Sequence, residues 1–119
     1  GRSRSGGAMK FVAARRLALA LPEAVEAPHH HGTSFRIDGK IFATAPPDAQ
    51  ALHVFVSADE RDRAMALHPR CVEQLSWGGK VVGVRVALAR ATPAMVRGLL
   101  AQAWRRKAPQ HLVSLVDRH

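Results

Sequence analysis

The chain has 119 residues, 18 of them Lys or Arg against 9 Asp or Glu, for a net charge of +9 with histidine neutral; 47% of it is apolar. That length holds one domain with a modest core, and the apolar share marks a folding chain rather than a disordered one. No apolar run approaches the ~18 residues of a membrane span, and the lone cysteine, Cys71, excludes an intramolecular disulfide and a cysteine-rich zinc site, which points to a reducing cytoplasmic setting.

The opening GRSRSGGA, ahead of Met9, reads as Gly/Ser filler: a disordered tag remnant over residues 1–8, followed by a single domain over 9–119. Without Arg2 and Arg4, sixteen basic side chains still face nine acidic ones. Such a balance favours anionic partners, namely nucleic acid, an anionic membrane surface or an acidic protein. Arginine outnumbers lysine 14 to 4, so an arginine-favouring genome is the competing source of the same charge.

Residues 9–21, MKFVAARRLALAL, predict a first helix, with Phe11, Ala14, Ala18 and Leu21 on its apolar face and Pro22 as its stop. PEAVEAPHHHGT then reads as a loop. FRIDGKIF is the clearest local signal: Asp38-Gly39 suits a type I′ turn, which needs positive φ at both central residues. A two-residue hairpin pairs Ile37 with Lys40, Arg36 with Ile41 and Phe35 with Phe42. It puts Phe35, Ile37 and Phe42 on one face and Arg36 on the other. ALHVFVS reads as a third strand, with Leu52, Val54 and Val56 opposite His53 and Phe55.

Ser57 with Glu60 three residues on predicts a capping box for a helix over Ala58–Leu67. RCVEQL reads as a second short helical piece and SWGGK as a turn. KVVGVRVAL alternates as a strand, Val82, Val84, Val86 and Leu88 against Val81, Gly83, Arg85 and Ala87. Thr92 and Pro93 open a long helix with Met95, Val96, Leu99, Leu100, Ala103 and Trp104 as its stripe, and a short helix follows Pro109. The order α-β-β-β-α-β-α-α implies an α+β fold: an antiparallel sheet of about four or more strands with helices packed on one face.

LALALPEAVEAPHHHGTSFRIDGKIFATAPPD, the capped helix, and VVGVRVALARATPAMVRGLLAQAWRRKAPQHLV together resemble the MmcQ/YjbR-like family of small bacterial proteins, from about Leu17 to Val113. The resemblance implies a fold like that of the CyaY/frataxin group. It also implies a DNA-binding role with a double-wing arrangement, as the family is described. The hairpin Phe35–Phe42, with Gly39 and Lys40 at its turn, matches the family's ribbon, and Trp104 matches the aromatic of its long helix. The family pattern has an aromatic just after the Gly-Gly-Lys turn; here Val81 and Val82 stand there and Trp77 precedes the glycines.

His29, His30 and His31 are consecutive, so their side chains diverge, whereas a zinc site needs converging ligands. They read as a loop in which one histidine packs and the others are solvated. The first helix carries Lys10, Arg15 and Arg16 and no acid, which disfavours iron; no metal and no cofactor is expected. Ser34, Ser57, Ser76 and Ser114 lack a nucleophile-elbow context, and Cys71 reads as a packed small hydrophobe, so no catalytic residue is assigned. Arg105, Arg106 and Lys107 complement the dipole at a helix C-terminus. Arg36 and Arg85 project from the strand face opposite the core, and Lys40 and Lys80 flank tight turns. These four are the candidate nucleic-acid contacts, two basic-tipped wings reaching phosphate with weak sequence specificity. No stacking aromatic is seen among them, which argues against single-strand recognition. The expectation is a monomeric, non-enzymatic cytoplasmic protein with duplex DNA as partner and no membrane partner. The alternative is a protein-interaction module without nucleic-acid activity.

Overall fold

The computed structural model describes residues 9–118, so the expectation for residues 1–8 lies outside the described residues. Helix α1 (Phe11–Leu19) precedes four strands, β1 (Val25–His29), β2 (Gly32–Ile37), β3 (Lys40–Ala45) and β4 (Ala51–Val54). Helix α2 (Ala58–Leu67), strands β5 (Val72–Trp77) and β6 (Lys80–Ala87), and helices α3 (Pro93–Lys107) and α4 (Gln110–Asp117) follow. A 3-10 turn at Leu88–Arg90 links β6 to α3. The six strands form one antiparallel sheet in the order β1-β2-β3-β4-β6-β5, and with its four helices this is the α+β class that the sequence implies.

Two of the six strands correct the sequence reading. PEAVEAPHHHGT is not a loop: Val25–His29 pairs with β2, and His30-His31 is the turn between them, with His30 at φ 55°. Pro28 argues against a central strand, but β1 is the sheet edge, where an N–H is not needed for a further neighbour. RCVEQL is not helical either, since Val72–Trp77 pairs along β6. Val72 and Leu75 carry helical i, i+3 spacing, yet on a strand that spacing sends them to opposite faces. Val72 joins the main core, while Leu75 is buried outside it, opposite Gly83.

The DG turn forms as expected, with Asp38 at φ 53° and Gly39 at φ 77°, and it sets Ile37 opposite Lys40 and Arg36 opposite Ile41. Phe35 then faces Ala43, not Phe42, because a bulge leaves Phe42 as the extra residue. The bulge turns both Phe42 and Ala43 into the core, where each is fully buried. A second bulge between Leu75 and Ser76 interrupts the β5–β6 register. Val84, Val86 and Leu88 stay in the core, while Val82 lines a groove with Phe55 and Trp77 instead.

One face of the sheet packs on the helices. Ala14 and Ala18 of α1, Ala64 of α2, Leu112 of α4 and the stripe Val96, Leu99, Leu100, Ala103, Trp104 of α3 close over Phe35, Ile37, Phe42, Leu52, Val54, Val84 and Val86. Trp104 is 1% exposed, and its indole N–H donates to the Pro22 carbonyl at 3.0 Å, tying α3 to the chain just after α1. The helix starts follow their caps. Ser57 and Glu60 form the reciprocal capping box of α2, and Thr92 accepts from the Met95 N–H ahead of Pro93. Arg105 holds Asp117 through two bonds, 2.7 and 2.9 Å, and so fixes α4 against the end of α3.

Candidate nucleic-acid interface

Among the described residues no helix covers the opposite face of the sheet, and its strand register assembles a polar row. Ser34 stands beside Thr44, Thr44 beside His53, His53 beside Arg85, and Arg85 beside Glu73, across β2, β3, β4, β6 and β5. Ser34 is fully buried with its hydroxyl satisfied twice. It donates to the Ala27 carbonyl at 3.0 Å and accepts from Arg36 Nε at 2.9 Å. Thr44 Oγ1 lies 3.4 Å from His53 Nδ1, and Arg85 lies 3.8 Å from Glu73. Burial, and then the Arg85 charge, hold the His53 imidazole below its ordinary 6.5, with Asp48 pulling weakly the other way.

The ends of the sheet differ. β3 and β6 are each antiparallel to β4, so they run in the same direction and start at the same end. Their starts are Lys40 and Lys80, both exposed. Each follows a two-residue turn with both central residues at positive φ, Asp38-Gly39 and Gly78-Gly79 (58° and 80°). The two wings are thus built from the same turn type, and only β4 separates β3 from β6 in the strand order. The four residues singled out in the sequence therefore fall into two pairs. Lys40 and Lys80 both stand at the wing end; Arg36 and Arg85 lie on the open face behind them, half-buried, with Ser34 and Glu73 as neighbours.

Beside the wings a groove of about 600 Å³ runs between the sheet end and the helices. Arg61, Lys80, Arg106 and Lys107 line it with Phe55, Trp77, Ile41 and Val81, and among the described residues no acidic side chain lines it. Arg106 reaches it because its guanidinium donates to the Phe55 carbonyl at 2.9 Å, so this residue does more than answer a helix dipole. Trp77 is 42% exposed and meets Phe55 and His53 edge-on, at 5.1 and 6.0 Å between ring centres. An aromatic does stand among the charges, contrary to the sequence expectation. Trp77 precedes its turn, and the antiparallel register sets it opposite Lys80, one pair from Val81.

The three histidines line a second cavity, about 390 Å³, at the other end of the open face, with Thr44, Pro46, Pro47, His53 and Trp77. His29 and His30 meet edge-on at 4.4 Å. Partial burial, then His30 and Arg36, keep the His29 imidazole below its ordinary value. Among the described residues no three metal-ligating side chains converge. Cys71 is buried with its sulfur 3.6 Å from that of Met95, and burial pushes its thiol up, away from the reactive thiolate. No helix is long and apolar enough to cross a membrane among the described residues.

An antiparallel α+β sheet with one covered face and two like-turned wings at one end defines the class. A model of the YjbR family matches residues 19–106, all six strands of this sheet together with α2 and nearly all of α3, and the chain belongs to that family. No curated protein and no solved structure matches the chain.

Proposed function

We propose that the protein binds duplex DNA through its two wings, gripping the phosphate backbone with weak sequence specificity. The observation that carries this reading is the placement of Lys40 and Lys80, exposed beside two turns of the same kind at the same end of the sheet. A duplex carries one phosphate charge per ~1.7 Å of its axis, a density that offers partners to both tips and to the arginines behind them. On this reading the protein is a non-enzymatic cytoplasmic monomer. Its open face holds Arg36 and Arg85 ready for further phosphate contacts, and the weak Glu73 contact does not consume Arg85.

The test is fluorescence anisotropy with a labelled duplex, with Arg2 and Arg4 changed to Ser so that they add no contact. With Arg36, Lys40, Lys80 and Arg85 engaged, log affinity falls against log salt with a slope of about −3.6, roughly two decades between 50 and 200 mM. Lys40→Ala and Lys80→Ala each flatten the slope by about 1 and weaken binding equally on unrelated duplexes. No binding at about 50 mM salt removes the wing reading. It leaves the protein-interaction module in front, for which the exposed apolar Trp77 and Val81 at the same end speak.

A further inference from the structure

The indole of Trp77 lies between two unlike cavities, lining both the basic groove at the wings and the histidine-lined cavity behind them. On one side stand Arg61, Lys80 and Lys107, with no acidic lining among the described residues. On the other stand imidazoles, Pro46 and Pro47, a surface of flat rings and apolar edges. Phe55 and His53 touch the indole at interplanar angles of 75° and 74°, so they fix its orientation without stacking on it. Among the described residues no aromatic ring lies parallel to Trp77, and the side chain is 42% exposed although it is large and apolar.

The ligand chemistry that matches both sides at once has a flat, hydrogen-bonding ring joined to a phosphate. We infer that an unpaired nucleotide of a nucleic-acid strand seats at Trp77, its base stacked against the indole on the histidine side and its phosphate in the basic groove. The base must be unpaired, because a duplex buries its base faces in its own stack, whereas single-stranded bases present theirs to aromatic platforms. Charge complementarity selects a polyanion for the groove, and the indole selects one with rings rather than carboxylates. The inference rests on the reading that this end of the sheet binds nucleic acid. It adds a preference that the wings alone do not create: a strand end, a junction or an unpaired stretch over a continuous duplex.

The two tryptophans make the test direct. Trp104 is buried in the core and serves as an internal reference, while Trp77 is the exposed reporter. A twelve-residue thymidine single strand should quench the Trp77 component of the emission. Trp77→Leu should weaken binding of that strand at least about fivefold, the lower end of what one stacked base contributes, while Trp77→Phe keeps most of it. The blunt duplex of equal length should bind the parent and Trp77→Leu alike. Single-strand affinity unchanged in Trp77→Leu overturns the inference and leaves the wings standing. Trp77-dependent single-strand binding without any duplex binding overturns the wing reading and leaves the inference standing. Two further arms overturn it: thymidine monophosphate binding as tightly as the strand, which assigns the site to a free nucleotide, and polyglutamate quenching as strongly as the strand, which assigns it to an acidic protein. The quenching is read on the parent protein, so the inference stays open to test even where Trp77→Leu fails to fold.

Discussion

The two faces of this sheet are made by the same strands and obey different rules. The covered face is apolar across β2, β3, β4 and β6 and closes on α1, α3 and their neighbours, with Trp104 at its centre. The open face alternates hydroxyls, an imidazole and paired charges across the same strands, and leaves the other tryptophan, Trp77, exposed. One tryptophan has its N–H satisfied inside the molecule and stabilises it. The other has aromatic edges on two sides, cations beside it and space on both flanks. The lesson is that a period-two strand pattern specifies the first face strongly and leaves the second free for chemistry.

The largest expected effect falls on the covered face. Trp104→Ala removes a fully buried indole together with its bond to the Pro22 carbonyl, so it should cost about 3–5 kcal/mol of stability by urea denaturation. A loss below about 1 kcal/mol would show that this face is not the core.

Gly39→Val tests the wings as structure. A Cβ there meets nothing within 4 Å, so the whole cost comes from φ 77°, and roughly 1–3 kcal/mol should be lost. An unchanged midpoint would mean that the turn does not need its left-handed backbone. The double change Lys40→Ala, Lys80→Ala makes the opposite demand. Both side chains are exposed, so the midpoint should stay within about ±0.5 kcal/mol while duplex binding weakens and its salt slope flattens by about 2. If stability falls with binding, the wing tips are part of the folded frame and the contrast between the faces fails.

The smallest effect concerns pH. The folded state holds His53 below the 6.5 of the free side chain, so the unfolded chain binds the extra proton first. Stability is therefore complete above pH 6.5 and declines as the pH falls through that value toward the folded-state one. Denaturation midpoints at about pH 7.5 and 5.5 should differ less in His53→Gln than in the parent. An identical acid loss in both would place its cause elsewhere.

What could be read in the sequence follows from where each signal is local. The DG turn, the Ser57–Glu60 box, the Thr92-Pro93 start and the stripe of α3 each lie within a few residues, and each forms as its spacing requires. β1 was hidden because a proline and three histidines look like a loop, and only its place at the sheet edge makes them acceptable there. β5 was hidden because both of its faces bury a residue, which mimics a helical period. Of the candidate site, the four basic residues were legible as outward positions on strands and turns. The groove was not: Trp77, Phe55, Arg61 and Arg106 come from four separate segments, and only the strand order and the packing of α3 on the sheet gather them.

The central claim is that nucleic acid meets the open face and its wings and leaves the helical face untouched. Amide and indole resonances of isotope-labelled protein, followed during titration with a short duplex, test it residue by residue. Shifts are expected at Gly39, Lys40, Gly79 and Lys80, with the Trp104 indole N–H and the amides of α1 unmoved. Shifts centred on α1 and the Trp104 indole, or none at any wing residue at saturating duplex, would contradict it.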